Sequence, residues 1–271
     1  MYAAFLTSRL CFSSIKQYLN IIRILCEEAG LPNVLENNHV LKSVLTGIKR
    51  DHGAEAKRTL PITPAVLLRI RAVLDLTCPR DILFWATCLV LFYGILRKAS
   101  LLPKTQKDFS AKKFPTRSDL TPYQEGLALS IKFSKTNQFQ ERVVQVPMPV
   151  FPRHPLCPAA ALFALLALAP AAPADTPLLC LHRSACLTQN SFVSRLRDVL
   201  KTAGFPDANE FSGHSFRRGG ATAFFAAGIA SDIIQLIGDW KSDAYKLYCE
   251  VDIISKFKMV QPILSLLKVG N

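Results

Sequence analysis

An apolar run from Ile82 to Leu96 constrains the fold of this chain most strongly, since a stretch this long and this hydrophobic must be buried. The run ends directly at Arg97, whose guanidinium keeps its positive charge at any pH that a protein meets. The sequence therefore predicts a buried helix with a permanent positive charge at its rim.

A second group of chemically capable side chains lies between residues 213 and 248. His214 and Arg217 are three residues apart, so on a helix they project from one face toward a common point. Arg217 offers a planar fork suited to phosphate oxygens, Trp240 offers an N–H that can only donate, and Tyr248 offers a hydroxyl able to act as a nucleophile. The set favours chemistry on a phosphodiester, because acyl transfer would not need two arginines, Arg217 and the adjacent Arg218.

Several motifs follow one another along the chain: YGILRKASLLP, SIKFSKTN, SGHSFRRGGAT, GDW and a final tyrosine. Lys135 lies in the second of them, at the tip of a predicted hairpin between residues 127–133 and 143–147. This order resembles that of the tyrosine recombinases, also called the phage-integrase family, and the resemblance covers nearly the whole chain. Three segments resemble the eukaryotic mobile-element members of DIRS or Crypton type: GHSFRRGGAT, GDWKSDAYKLY and the upstream SSIKQYLNIIRILCEEAGLP.

The resemblance implies that the chain cuts and rejoins DNA without a metal or nucleotide cofactor. Tyr248 would attack the scissile phosphorus, form a 3′-phosphotyrosyl link that conserves the bond energy, and release a 5′-hydroxyl. Lys135 would protonate the leaving 5′-oxygen as a general acid. Attack by the 5′-hydroxyl of a second strand would then reseal the break in exchanged form.

The same resemblance assigns four side chains to electrostatic stabilisation of the transition state, where one lost donor typically costs about 100-fold in rate or more. Arg97 and Arg217 would hold the non-bridging oxygens, and His214 and Trp240 would donate hydrogen bonds where negative charge grows. Taken singly, each of these residues has an ordinary interpretation as a packed, capping or solvated side chain. Their joint occurrence favours an active site.

Two features depart from the family pattern. In most members the nucleophile stands one residue further from the His/Trp position, which here is Cys249, so this segment has either lost a residue or turns differently. Tyr245 is the competing nucleophile. Tyr248 is preferred because YCEV matches the family's tyrosine followed by a short apolar tail helix. The acidic residue that often stands three positions after the first arginine is replaced here by Ser100, which weakens the expected support for Arg97.

The charge of the chain points to a polyanionic partner. Thirty-three Lys and Arg against twenty Asp and Glu give a formal net charge of +13, and double-stranded DNA is the leading candidate. A basic ribosomal or membrane-surface protein is the alternative. Among the cations, Lys98 and Lys132 are predicted to bind DNA, while Arg218 points about 100° around the helix from Arg217 and either contacts the DNA backbone or is solvated.

Cysteine usage and hydropathy bear on metals, membranes and location. The eight cysteines show no CxxC pairing and are predicted to be free thiols in a reducing, intracellular compartment, the nucleus if the chain is eukaryotic. Cys180, His182 and Cys186 are close in sequence, but no fourth ligand is evident and no metal site is predicted. Prolines confine the helix in residues 156–174 to a length too short to span a membrane, so no membrane association is expected.

The chain is predicted to form two domains that meet near residue 58, within a polar stretch. Residues 1–58 are expected to form a partial helical core-binding (SAM-like) DNA-binding domain, either because the chain is a fragment or because upstream helices are missing. Residues 59–271 are expected to form the catalytic domain. The predicted fold class is mainly α with a small antiparallel β-sheet, that is, α+β.

Local signals predict individual elements within these domains. Thr63 and Thr188 are predicted N-caps, and residues 176–181 a buried strand. The first helix is predicted to end at Gly30 and to bury one apolar face, formed by Ile15, Tyr18, Leu19, Ile22 and Leu25.

Three functions fit these residues: a site-specific recombinase or integrase, a type IB topoisomerase-like nicking-closing enzyme, and a domesticated DNA-binding module without catalysis. The intact catalytic set favours the first, and the short N-terminal part favours the last. An apolar tail over residues 252–269 also favours the first, because family members exchange such a helix between protomers in a synaptic homotetramer; packing within one chain is the alternative. Free in solution, the chain is expected to be a monomer.

Overall fold

The computed structural model describes residues 2–52, 59–139, 141–181 and 185–248. The chain divides into two compact units, Met1–Arg58 and Thr59–Asn271. The predicted tail helix over residues 252–269 lies outside the described residues. Among the described residues, no helix is both long and apolar enough to cross a membrane.

The described part of the first unit contains three helices: α1 (Tyr2–Leu6), α2 (Phe12–Glu28) and α3 (His39–His52). Gly30 follows α2 in a left-handed conformation, with φ at +66°, so the helix ends where the sequence predicts. The small core of this unit is apolar and draws on all three helices: Ala3, Leu6, Ile15, Leu19 and Ile48.

The predicted apolar face of α2 is only partly buried. Ile15 and Leu19 are in the core, but Tyr18 and Leu25 are 44% and 57% exposed. The short helix α1 and the helix α3 cover only the edge of α2 that carries Ile15 and Leu19. Apolar periodicity therefore locates the helix correctly and overestimates the width of its buried face.

Seven α-helices lie in the described part of the second unit: α4 (Pro64–Ala72), α5 (Pro79–Tyr93), α6 (Lys98–Leu101), α7 (Pro158–Ala167), α8 (Gln189–Thr202), α9 (Gly213–Ala226) and α10 (Ser231–Ile237). Helix α5 packs against α7 and α9, and every side chain from Leu83 to Phe92 is buried. Each large apolar side chain buried in this way contributes roughly 1.5–3 kcal/mol relative to exposure. The predicted buried helix is confirmed, and it forms the centre of this unit.

Local capping sets the beginning of two of these helices. The side chain of Thr63 accepts a hydrogen bond from the backbone N–H of Val66 at the start of α4. At the start of α8, Thr188 accepts one from the N–H of Ser191. Both predicted N-caps are confirmed, and each satisfies a helix N–H that would otherwise lack a partner.

A three-stranded antiparallel sheet completes the second unit in the order β1-β2-β3, with β1 (Leu120–Tyr123), β2 (Gly126–Ile131) and β3 (Val144–Pro149). In the central strand, Leu129 lies opposite both Leu120 and Val146. The β2–β3 hairpin is the one predicted from the sequence, whereas β1 is additional. The predicted fold class, mainly α with a small antiparallel sheet, is confirmed.

The predicted strand over residues 176–181 is wrong. This segment forms only isolated bridges, between Pro177 and Thr116 and between Cys180 and Cys186. A short, buried apolar run resembles a strand in sequence, but Pro177 lacks the N–H that a regular ladder needs.

The seven cysteines within the described ranges are free thiols. In the same part of the chain no group of three His, Cys, Asp or Glu side chains is placed to hold a metal ion. His182, which the sequence places near Cys180 and Cys186, lies outside the described residues.

Candidate active site

The first turn of α9 places His214 and Arg217 on one face of the helix. The hydroxyl of Ser212 accepts a hydrogen bond of 3.1 Å from the backbone N–H of His214. In return, the N–H of Ser212 donates to the hydroxyl of Ser215 at 2.9 Å. This reciprocal cap fixes where the helix begins, so the motif SGHS defines the direction in which both side chains project.

Two glycines let α9 approach its neighbours closely. A Cβ atom on Gly219 would lie 1.8 Å from the carbonyl oxygen of Ile62, and one on Gly220 would lie 2.3 Å from that of Phe92. Any larger residue would therefore push α9 away from the end of α5. The glycine pair brings Arg217 within reach of the backbone that follows α5.

The chain leaves α5 through a strained turn. Ile95 has a φ of +49°, a left-handed conformation that is rare for a β-branched residue and costs roughly 1–3 kcal/mol. The N–H of Leu96 closes the turn by donating to the carbonyl of Leu91 at 3.1 Å. The carbonyl of Ile95 accepts a 2.5 Å hydrogen bond from Nη1 of Arg217, and Arg97 follows at the start of α6. The turn thus brings both arginines to one place.

Arg217 is a buried cation, only 1% exposed. Its guanidinium carbon lies 3.6 Å from the centre of the Trp240 ring, a cation–π contact. Burial and, to a smaller extent, the positive charge of Arg97 lower the pKa of Arg217 to about 9. Its Nε and Nη2 atoms have no hydrogen-bond partner among the described residues. Coplanar N–H groups without partners are suited to binding the oxygens of a phosphate.

Tyr248 faces His214 across the site. The hydroxyl oxygen of Tyr248 lies 2.9 Å from Nε2 of His214. Burial lowers the pKa of His214, and the positive charges of Arg217 and Arg97 lower it further. The imidazole is therefore neutral near pH 7 and can accept the phenol proton. The hydroxyl of Thr222 donates to the carbonyl of Tyr248. Helix α9 therefore holds this tyrosine by its backbone and by its side chain.

Tyr245, the competing nucleophile, has different surroundings. It is 5% exposed, and its ring centre lies 6.1 Å from that of Trp240. The other members of its cluster are buried apolar residues: Ile95, Ala221 and Ile234. Tyr248, not Tyr245, is the tyrosine whose hydroxyl bonds to His214.

Lys135 lies in the connection between β2 and β3, and its side chain is exposed. Both of its neighbours bond to Asp239: the Ser134 hydroxyl donates to the carboxylate at 2.7 Å, and the Thr136 hydroxyl donates to the same carboxylate. Asp239 directly precedes Trp240. The structure therefore attaches the Lys135 turn to the edge of the site and leaves the ammonium group exposed.

Solved structures share this fold. XerA recombinase matches with a TM-score of 0.54 at 16% identity, covering 97% of this chain and 80% of that chain. The Tn1549 transposon integrase in complex with circular intermediate DNA matches with a TM-score of 0.55 at 14% identity, covering 96% and 82%. A lambda integrase dimer bound to a COC′ core site gives 0.55 at 14%, covering 89% and 63%. The fold is that of the tyrosine recombinases. No protein-family model and no curated protein matches the chain.

Within the tyrosine-recombinase fold, the six predicted catalytic residues come from separate parts of the second unit. One follows α5, one lies between β2 and β3, two are on α9 and two follow α10: Arg97, Lys135, His214, Arg217, Trp240 and Tyr248. The structure brings five of them together, because the charge of Arg97 acts on His214 and Arg217 while the other two contact this pair. Lys135 is at the edge.

The three cations predicted to contact DNA all contact other residues of the second unit. Nζ of Lys132 lies 2.7 Å from the carboxylate of Asp119, which is buried. Nη1 of Arg218 donates at 2.6 Å to a backbone carbonyl at the start of the second unit. The side chain of Lys98 packs closely on Gly213. Each side chain therefore has a structural role, and contact with DNA stays a prediction for all three.

Three residues at the site, Ile95, Thr222 and Asp239, are not predicted from the sequence. Ile95 lies in an apolar run, where nothing local shows that its carbonyl would face Arg217. Thr222 could have been found, because it lies two helical turns after His214 on the same face of α9. Asp239 belongs to the GDW motif, but its partners are distant in sequence.

Proposed function

We propose that the chain is a site-specific DNA recombinase or integrase that cuts and rejoins duplex DNA through a 3′-phosphotyrosyl intermediate. The observation that carries this proposal is the Tyr248 hydroxyl, 2.9 Å from Nε2 of His214. The same helix bears Arg217, two of whose N–H-bearing atoms have no partner among the described residues. Transfer of a phosphoryl group to a side chain needs such a nucleophile, proton acceptor and oxyanion-binding group. The DNA bound by the lambda and Tn1549 integrases supports a DNA substrate.

The scissile phosphate is proposed to bind at Arg97 and Arg217, which we call the phosphate seat. An anion there would bind the N–H groups of Arg217 that lack a partner within the described ranges, and it would offset the burial that lowers the pKa of Arg217. The transition state carries more negative charge on these oxygens than the bound DNA does, so the seat accelerates the reaction. Trp240, stacked on Arg217, fixes the plane of the guanidinium and adds an indole donor.

In the proposed reaction, one phosphorus–oxygen bond forms as another breaks. The Tyr248 oxygen attacks the phosphorus, and its proton passes to Nε2 of His214. The bond to the 5′-oxygen breaks, and the ammonium of Lys135 supplies the proton that this oxygen needs. A phosphodiester is exchanged for a phosphotyrosyl ester, so the reverse attack by a 5′-hydroxyl needs no nucleotide cofactor.

Each protomer is proposed to cut DNA with a complete set of its own catalytic residues. His214, Arg217 and Tyr248 belong to one chain, so each protomer would use its own tyrosine. A synaptic homotetramer formed from monomers in solution follows from the family resemblance. The sequences of the motifs around Arg217 and Trp240 lead us to propose a eukaryotic mobile-element origin of DIRS or Crypton type. A nuclear location follows from that origin.

Replacing Lys135 by alanine is expected to slow cleavage of an ordinary 5′-oxygen substrate by about 100-fold, the lower end of the effect of a lost general acid. A substrate with a 5′-thio leaving group should recover most of this rate, because a thiolate leaves without protonation. Single-turnover rates on the two substrates measure the effect. Lys113→Ala is the matched control, since it removes an exposed lysine that rests on the ring of Phe133. Equal loss on both substrates would show that Lys135 only positions DNA.

Binding of duplex DNA is expected to weaken steeply with salt. Each neutralised phosphate contributes a slope of about −0.9 in log K against log salt, so contact with several phosphates predicts a slope steeper than about −4.

Arg218→Ala should reduce the magnitude of that slope by about one without changing sequence preference if Arg218 contacts a phosphate. An unchanged slope with a lower melting temperature would show that Arg218 has a structural role and contacts no phosphate. Fluorescence anisotropy measures the slope, and a flat response would argue against a duplex recombinase.

A further inference from the structure

Asp239 joins two parts of the chain that the proposed reaction uses. Its carboxylate accepts hydrogen bonds from Ser134 and Thr136, the two neighbours of Lys135, and pairs with Arg142 of the same β2–β3 connection. The hydroxyl of Thr136 also reaches the Asp239 carbonyl at 3.2 Å. Three side chains of the hairpin therefore converge on one residue that is 105 positions from Ser134 in sequence.

The backbone that follows Asp239 is held by hydrogen bonds between Trp240 and Gln235. The N–H of Trp240 donates to the carbonyl of Gln235 at 3.1 Å, and the Gln235 side chain donates to the carbonyl of Trp240 at 3.2 Å. A Cβ atom on Gly238 would lie 1.7 Å from the indole ring. The turn that contains Asp239 therefore has little freedom, and the hairpin bonded to it shares that restriction.

Asp239 adopts a conformation that needs support. Its φ of +52° lies in the left-handed region, which aspartate enters more readily than most residues but still at a cost. Its side chain is 10% exposed, and a carboxylate removed from water is stable only when its oxygens are bonded. The hairpin supplies these bonds, so the turn and the hairpin stabilise each other.

We infer that Asp239 is a positioning residue, which holds the Lys135 turn at a fixed place relative to Arg217 and Trp240. The general acid and the phosphate seat can then act on one phosphate together. The inference rests on the proposed function, and Asp239 acts on the reaction through Lys135, whose turn it holds.

The negative charge of Asp239 has a second effect on the seat. It raises the pKa of Arg217, in opposition to burial and to the positive charge of Arg97. Ser100, where the family resemblance leads one to expect an acidic residue, is buried and uncharged. Asp239 therefore supplies a negative charge that acts on Arg217.

The test uses two variants at this position and one control. Asp239→Gly keeps the left-handed backbone conformation and removes every side-chain bond. Asp239→Asn removes the charge and replaces one of the two acceptor oxygens by an NH2 group, which can only donate. Asp243→Asn is the control, since Asp243 is exposed and pairs with the exposed Lys246. Asp239→Gly should slow cleavage of a 5′-oxygen substrate by about 100-fold, the effect that a misplacement of about 1 Å can have, with Asp239→Asn between it and wild type. The control should cleave at the wild-type rate.

Two readouts separate positioning of Lys135 from a general structural role. A 5′-thio substrate should recover most of the loss in Asp239→Gly. In a Lys135→Ala background, the same change should add little further loss on the 5′-oxygen substrate, because the two residues act as one unit. Equal losses on both substrates, or losses that multiply fully in the double variant, would overturn the inference.

Hydrogen exchange tests the attachment without relying on activity. Amides in residues 132–139 should exchange roughly tenfold faster in Asp239→Gly than in wild type, and unchanged in Asp243→Asn. If wild type forms no covalent adduct, the proposed function fails, yet faster exchange in this segment still supports the attachment of the hairpin to Asp239. Unchanged exchange would overturn it even in an active enzyme.

Discussion

Replacing Tyr248 by phenylalanine is expected to abolish covalent attachment of the protein to DNA. Only the hydroxyl is removed, and with it the nucleophile and the 2.9 Å contact with His214. Loss of an enzyme's nucleophile is among the most damaging substitutions known, so the rate of adduct formation should fall by at least about 10⁴-fold. DNA affinity should change little, because a neutral hydroxyl neutralises no phosphate.

Tyr245→Phe is the matched control for this experiment. The Tyr245 ring lies in an apolar cluster beside Trp240, so its hydroxyl is expected to have no part in the chemistry. The adduct rate of this variant should stay within a few-fold of wild type. Denaturing gels measure the adduct and anisotropy measures DNA affinity. Loss of the adduct in Tyr245→Phe and its retention in Tyr248→Phe would reverse the assignment of the nucleophile.

The second large effect is expected for Arg217→Lys. Lysine keeps the positive charge but not the planar fork, and it cannot stack on Trp240 while donating to the Ile95 carbonyl. Because those N–H groups are proposed to bind the charge that develops in the transition state, cleavage at saturating DNA should slow by about 100- to 1,000-fold. Affinity for DNA should stay within a few-fold of wild type.

Arg195→Lys provides the comparison for a charge-preserving change. Arg195 is exposed and pairs with Asp81 at 2.7 Å, so its replacement should leave single-turnover cleavage unchanged. Wild-type cleavage by Arg217→Lys would show that the buried guanidinium does not bind the scissile phosphate. A parallel loss of DNA affinity and rate would assign Arg217 to ground-state binding instead.

The features that the sequence predicts correctly are those decided within a few residues along the chain. Thr63 and Thr188 cap helices through N–H groups three residues away, and Gly30 ends α2 through its own backbone conformation. The buried helix α5 follows from an apolar run that has no alternative to burial. Such interactions depend on local spacing, which the sequence displays directly.

The features that the sequence does not predict depend on contacts between distant segments. Tyr18 is exposed because neighbouring helices cover only part of α2. The sequence of α2 does not indicate how much of its surface those helices will cover. The attachment of Ser134 to Asp239 joins residues 105 positions apart. The failed strand over residues 176–181 shares this cause, because a strand exists only if another segment pairs with it.

The candidate site contains both local features and contacts between distant segments. The spacing of His214 and Arg217 places them on one helix face without any outside knowledge. The roles of Lys135 and Tyr248 are implied by the family resemblance. For Tyr248, nothing in the local sequence shows that the chain after α10 returns to His214. That return depends on the turn at Asp239 and on the bond from Thr222 to the Tyr248 carbonyl.

Covalent trapping of the wild-type protein is the most direct test of the proposed function. A pool of nicked duplexes of randomised sequence would release a short fragment on cleavage, so that the 5′-hydroxyl needed for resealing diffuses away. Digestion of the trapped complex and mass spectrometry would then identify the residue joined to DNA. We predict a single adduct, in which a 3′-phosphate is attached to Tyr248. Attachment to Tyr245, or duplex binding with no adduct at all, would contradict the proposed mechanism.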